Sequence, residues 1–199
     1  MKLDLSFYRR DDVLQIGKDL LGKYLFTKIN GEITGGMIVE TESYMGAVDK
    51  AAHSYGNRRT ERTEVMYQPG GVSYVFLCYG IHSLFNVITN EKDIPEAVLI
   101  RAVKPTHGID TILRRRNKTK LQRNVAGGPG MLSQALGIDR NHDGLNLTGD
   151  TVWIEDLDVK ISENDILRSP RVGVDYAQED ADNPWRYRIK GSEWTSPAK

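Results

Sequence analysis

At 199 residues with 39% hydrophobic content, the chain is long enough to bury one sizeable core and short for two, so one domain over residues 1–199 is expected. No apolar run approaches the roughly 18 residues of a membrane span, the opening MKLDLSFYRRDDVL lacks the apolar stretch of a secretory signal, and Cys78 alone forms no intrachain disulfide, so membrane, exported and disulfide-stapled classes give way to a reducing cytoplasm. The 27 basic residues balance 27 acidic ones, which at first argues against a nucleic-acid binder, because contacts to phosphate supply most non-specific affinity.

Asp11 and Asp12 stand at the start of an amphipathic helix that turns Val13, Ile16, Leu20 and Leu21 inward and stops at Gly22. A strand over residues 23–29 follows, and Asn30-Gly31 predicts a tight hairpin into a strand that is clearest from Gly36 to Tyr44. A side-chain period of two puts Glu40, Glu42 and Tyr44 on one face, so two carboxylates and an aromatic look into the same space. A half-buried antiparallel strand that shows polar residues to water is the plainer reading of the same pattern. A loop of small residues, 47–52, then brings His53, Arg58, Arg59 and Arg62. Residues 72–86 read as strand, tight turn and strand, with Tyr79-Gly80 at the reversal. The apolar corner from Leu77 to Ile81 is costly unless something covers it, and a wedge pushed into a base stack would be covered.

Helices are expected over 107–117 and 131–136, and strands over 151–155, 159–162, 171–174 and 186–189. Few segments alternate strand with helix. The frame is therefore α+β, a mostly antiparallel curved β-sheet with surrounding helices and a protruding β-hairpin. The charge balance hides a split. Residues 101–123 carry Arg101, Lys104, Arg114, Arg115, Arg116, Lys118, Lys120 and Arg123 against Asp110 alone, whereas in the acid-rich stretch 139–165 the only bases are Arg140 and Lys160. One face can thus be basic in a neutral protein, although Arg114-Arg115-Arg116 also reads as a solvated helix end.

Six ordered blocks, IVETESY at 38–44, DKAAHSYGNRRTERT at 49–63, MYQPGGVSYVFLCYGIHSLFNV at 66–87, VLIRAVKP at 98–105, GGPGMLSQALGI at 127–138 and RVGVDYAQEDADNPWRYRIKGSEWTS at 171–196, resemble the alkyladenine (3-methyladenine) DNA glycosylases of the mammalian type, which excise damaged purines by base flipping. The resemblance implies that Glu42 is the general base activating the water that attacks the sugar C1′, and that Arg101 and the backbone carbonyl of Val172 help hold that water. It implies further that the flipped base stacks between Tyr44, His53 and Phe76, that backbone groups of Ala51 and His53 read its edge, that Asn86 excludes guanine's exocyclic amino group, and that Tyr79 fills the gap left in the duplex. Phe76 departs from the tyrosine of the mammalian members; the π-face remains and any hydroxyl contact is lost. Beside this site, Arg58, Arg59 and Arg62 are assigned to the DNA backbone. The partner so implied is double-stranded DNA carrying 3-methyladenine, 7-methylguanine, hypoxanthine or ethenoadenine, bound by a monomer without cofactor, metal or membrane. Lacking the longer N-terminal tail common in eukaryotic relatives, the chain is expected to be bacterial, acting in the cytoplasm at the nucleoid. No lysine falls at a matched catalytic position, so a monofunctional glycosylase that leaves an abasic site is expected.

The chemistry suits these residue types independently. Breaking an N-glycosidic bond passes through an oxocarbenium-like sugar, and a nearby carboxylate both stabilises that charge and takes a proton from water, a base contributing roughly 10²–10⁴-fold. Aromatic walls attract cationic alkylated bases by about 0.5–2 kcal/mol. Two other classes compete: a non-catalytic module for damaged or bent nucleic acid, for which Glu42 beside a phosphate path would be a liability, and a metal-dependent hydrolase with Glu40 and Glu42 as ligands. Asp139 to Asp150 follows the calcium-loop pattern except for Asp in place of the last Glu, and a strand-like TVWIE follows where a helix would be needed. Gly127 to Gly130 reads equally as a phosphate cradle or as plain helix entry.

Overall fold

Short local signals decide where most elements begin and end in the computed structural model, which describes residues 1–196. Asp4 accepts hydrogen bonds from the backbone of Ser6 and Phe7 and opens a one-turn helix, α1 (Leu5–Tyr8). Asp12 accepts from the backbone of Gln15 and opens α2 (Val13–Asp19). Val13, Ile16, Leu20 and Leu21 are all buried, and Gly22 takes the left-handed φ of 83° that ends the segment. Strands β1 (Tyr24–Ile29) and β2 (Glu32–Tyr44) pair across Asn30-Gly31, whose φ values of 53° and 80° match the left-handed pair of a type I′ turn. Strands β3 (Ser73–Cys78) and β4 (His82–Thr89) pair across Tyr79 and Gly80, also both left-handed, which is the protruding hairpin.

Strand β5 (Glu96–His107) precedes α3 (Ile109–Arg115), α4 (Pro129–Leu136), β6 (Val152–Glu155), β7 (Ile166–Ser169) and β8 (Arg186–Ile189). Helix α3 starts two residues later than expected, because β5 continues through Pro105, which lies opposite Gly36 at a shift in register where a missing N–H is tolerated. The strands expected at 159–162 and 171–174 do not form. In the first case β7 makes the pairing with β8; in the second, Arg171 turns inward and Gly173 adopts φ 73°, so tertiary partners override the alternating pattern.

Every pairing is antiparallel, in the order β3-β4-β5-β2-β1-β6, with β8 joined to β2 and β7 to β8. The hub of this curved sheet is β2. Its first half pairs with β1, its residues 40–42 pair with β8, and β5 runs along its other edge. Thr41 and Ser43 point to the helical side and donate to the carbonyls of Gly17 and Val13. That contact requires glycine at position 17, where a Cβ would lie 2.2 Å from Ser43 Oγ. The alternate residues Glu40, Glu42 and Tyr44 therefore face the other way.

The basic stretch is only partly an open face. Arg101 is buried, Arg114 pairs with Glu32, Arg115 donates to Thr34 and to the carbonyl of Ala135, and Arg116 donates to the carbonyls of Asn124 and Val125. The last three guanidiniums tie α3 to its neighbours, and Lys104, Arg114, Lys118, Lys120 and Arg123 are exposed. Among the described residues no helix is long and apolar enough to cross a membrane.

Candidate active site

Two compensating shifts in the β2–β5 register set the centre of the site. Ile38 lies opposite Val103, Glu40 opposite Ala102 and Thr41 opposite Ile100, so β2 carries an extra residue at Val39 and β5 one at Arg101. Such bulges re-aim side chains. Here the result is a guanidinium between two carboxylates: Arg101 donates from Nε to Glu40 Oε1 at 2.8 Å and lies with Nη1 3.2 Å from Glu42 Oε1. Glu42 is fully buried, and its Oε1 also accepts the Val172 N–H at 2.8 Å while Oε2 accepts the Tyr44 hydroxyl at 2.9 Å. A carboxylate offers about four acceptor positions. Two are filled by hydrogen bonds and the Arg101 Nη1 ion contact faces a third, which leaves one.

Glu40 is saturated by contrast. It receives Arg101 Nε, Arg186 Nε, and both the N–H and the hydroxyl of Ser196. Burial opposes its charge, but Arg101, Ser196 and Arg186 outweigh that and hold its carboxyl below the usual range. Burial likewise works against the Arg101 cation, and Glu42 and Glu40 more than offset it. Burial, followed by the Glu42 charge, raises the Tyr44 phenol well above its ordinary value, so Tyr44 is a donor to Glu42.

Tyr44, Arg101 and Val172 line a pocket of about 230 Å³, smaller than the roughly 300–1,000 Å³ of sites for drug-sized ligands. Ala51, His53, Phe76, Asn86 and Tyr79 line it too, so the expected residues of the base pocket converge. His53 meets Phe76 edge to face at 4.6 Å. Its Nε2 accepts from Arg62 at 3.3 Å, which places the ring proton on Nδ1, 2.9 Å from the Tyr74 hydroxyl. Burial, then the charges of Arg62 and Arg58, push its pKa down to about 4, so the imidazole is neutral near pH 7. Asn86 lies opposite Tyr74 and donates to the Tyr74 carbonyl at 3.1 Å. Both backbone groups of Ala51 are already engaged, the N–H by Asp49 and the carbonyl by the Tyr176 hydroxyl. Reading a base edge with the Ala51 carbonyl would use its second lone pair or displace Tyr176.

Tyr79 is 92% exposed at the hairpin tip, flanked by Leu77 and Ile81. Of the three arginines expected near the DNA backbone, Arg59 is taken up by Glu64 and Asp93 and lies over the Tyr67 ring. Arg58 and Arg62, with Lys50, line an open cleft that shares His53 and Tyr176 with the pocket.

Several participants escaped the sequence reading. Tyr74 and Tyr176 line the pocket; Tyr74 could have been found from Phe76 by the same period of two that linked Glu42 to Tyr44. Behind Tyr44, the fully buried Arg171 lies between the rings of Tyr44 and Trp185 and pairs with Asp49. Arg186 and Ser196 carried no local signal at all. The carboxylates of the calcium-like loop are committed elsewhere: Asp139 caps its own turn, Asp143 accepts from Val75 N–H and Asp150 pairs with Lys2. Among the described residues no three potential metal ligands cluster. A Cβ on Gly130 would lie 2.9 Å from the His82 ring, so the glycine run lets α4 approach the hairpin base.

The family model for methylpurine-DNA glycosylase (MPG) matches residues 6–193. A protein of Clostridium novyi is 44% identical over 202 residues, 98% of each chain, and one of Chlamydia felis is 45% identical over 185 residues, 92% of this chain and 94% of its own. A third, of Clostridium acetobutylicum, is 44% identical over 206 residues, 100% of this chain and 99% of its own. All three bear the name "Putative 3-methyladenine DNA glycosylase". Since the matched span takes in all eight strands of the described residues and every residue lining the pocket, the chain belongs to the methylpurine-DNA glycosylase family.

Proposed function

We propose that the protein is a base-excision repair glycosylase that flips a damaged purine from duplex DNA into the pocket beside Glu42 and hydrolyses its N-glycosidic bond. The observation that carries this reading is Glu42, a buried carboxylate just behind the pocket wall, hydrogen-bonded by Tyr44 and Val172 and ion-paired to Arg101, all three of which line the pocket, so that by count one acceptor position is left over. A water bound there gives its proton to Glu42 as its oxygen bonds to C1′, and the electrons of the breaking C1′–N bond leave with the base. Alkylated purines already carry the positive charge that makes them good leaving groups, whereas hypoxanthine and ethenoadenine must gain a proton. Tyr44, His53 and Phe76 stack the base, Asn86 screens its edge, and the Val172 carbonyl and Arg101 help hold the water. Tyr79 fills the vacated stack, offsetting part of the few kcal/mol that flipping costs. Arg58 and Arg62 meet the backbone; Arg59 reaches it only by leaving Glu64 and Asp93.

Arginines on both carboxylates speak against the metal-dependent reading. In this proposal residues 1–199 act as one domain and as a monomer, in the cytoplasm. The test is single-turnover base release in EDTA from duplexes with one hypoxanthine, ethenoadenine or alkylated purine. Release by wild type and its near-loss in Glu42→Gln, with DNA binding retained, is the expected result. Binding without release by wild type would favour a non-catalytic module, and equal rates would remove Glu42 as the base.

A further inference from the structure

We infer that Glu40, anchored by Arg186 and Ser196, is a positioning residue that holds Arg101 off a two-pronged grip on Glu42 and so keeps an acceptor position on Glu42 open. The inference rests on the proposed role of Glu42 as base and adds what keeps that base usable.

An arginine facing a lone carboxylate normally pairs through two parallel N–H bonds. If Arg101 did so with Glu42, those two bonds, the Val172 N–H and the Tyr44 hydroxyl would fill all of the roughly four acceptor positions, and no water could bind. Instead Arg101 gives Nε to Glu40 at 2.8 Å and turns Nη2 toward Ser196 Oγ at 3.4 Å, leaving only Nη1 for Glu42 at 3.2 Å. That last contact is long for a charge-assisted bond, which typically spans about 2.7–2.9 Å. Glu40 cannot follow Arg101, because Arg186 Nε holds it at 2.8 Å and Ser196 at 2.6 Å through N and 2.7 Å through Oγ. Arg186 also faces Glu42 directly across the β2–β8 pairing, so both carboxylates sit on a segment hydrogen-bonded on either side.

The charged and titratable groups around Glu42 come from every element packed on it. Glu40 and Tyr44 lie on its own strand, Arg101 on β5 and Arg186 on β8, and Arg171, paired with Asp49, lies behind Tyr44. Two carboxylates and two guanidiniums thus cancel in the central cluster. Removing one of each sign should act on Glu42 in opposite directions, which mere loosening of the fold would not do.

The test is carboxyl ¹³C NMR titration of Glu42 in the full chain, assigned by difference from Glu42→Gln, with single-turnover pH profiles beside it. In Glu40→Gln the Glu42 resonance and the acidic limb of the profile move to lower pH by on the order of one unit, and in Arg186→Gln they move to higher pH by a similar amount. Plateau base release in Glu40→Gln falls by roughly 10–100-fold, as for other orienting partners of a reactive group. Shifts of the same sign in both variants, or none in Glu40→Gln, overturn the inference. If Arg186→Gln does not fold, Glu40→Gln decides alone, being nearly isosteric and keeping an acceptor for Ser196. Normal base release by Glu42→Gln would instead remove the role of Glu42 as base, while the titrations of the free protein would still report on the coupling.

Discussion

Two regions of this molecule invert the usual placement of residues, in opposite senses. At the tip of the β3–β4 hairpin, Tyr79 and Ile81 are 92% and 73% exposed, while in the middle of the sheet Glu40, Glu42 and Arg186 are fully buried. Large apolar side chains normally avoid water and ionised ones avoid the interior. The buried charges have every partner within the chain: Arg101, Arg186, Ser196, Tyr44 and the Val172 backbone. The exposed tip is left to water among the described residues, and in the proposed function the DNA base stack covers it. The first kind of inversion is maintained by the fold itself, and the second is the one that ligand binding can be used to test.

Breaking the buried half should have the largest effects. Glu42→Gln is expected to lower single-turnover base release by about 10²–10⁴-fold, the usual range for a general base, with gel-shift affinity for lesion duplex preserved. Asp49→Ala leaves Arg171 in a fully buried site without its carboxylate, and urea unfolding should show a loss of about 3–5 kcal/mol, mostly recovered when Arg171→Met is added. At the pocket wall the effect is smaller and depends on pH. The His53 pKa is depressed in the fold to about 4, so unfolding takes up a proton between that value and the ordinary 6.5. Its stability contribution is present above about pH 6.5 and is lost as pH falls toward 4. Unfolding free energies from urea titration at pH 7 and pH 4.5 should therefore diverge by about 2 kcal/mol more in wild type than in His53→Gln. Tyr79→Ala tests the exposed half: lesion-duplex affinity should fall by about 1–3 kcal/mol, the worth of one stacked base, while unfolding stays within about 0.5 kcal/mol of wild type.

Sequence reveals these two regions unequally. The hairpin is local, and Tyr79-Gly80 between two strand-like runs is enough to locate it, as Asn30-Gly31 locates the first one and Asp12 the start of α2. The alternation of Glu40, Glu42 and Tyr44 likewise gives the correct face of β2. What surrounds those carboxylates could not be read locally, because Arg101 is aimed by a register shift and Arg171, Arg186 and Ser196 reach them through tertiary packing. The run RVGV at 171–174 misleads for the same reason: it alternates like a strand, yet Arg171 is held inside by Asp49, Tyr44 and Trp185. Arg114, Arg115 and Arg116, read either as part of a basic face or as a solvated helix end, also brace α3, since a run of like charges does not disclose which carbonyls and acids the fold will bring to it.

The reach from Glu40 to Arg186 and Ser196, 146 and 156 residues along the chain, also sets an order of assembly during synthesis. At roughly 5–20 residues per second, the ribosome exposes β2 about 7 to 30 seconds before these donors emerge. Until then a carboxylate destined for the interior lacks most of its partners, and the centre of the sheet cannot close around it. The hairpin needs only neighbours within a few residues, and its turn can form on the microsecond scale. The contacts that close the Tyr79 hairpin are therefore all present on the nascent chain long before those of the Glu40 cluster, which is completed only as β8 and the residues just after it dock.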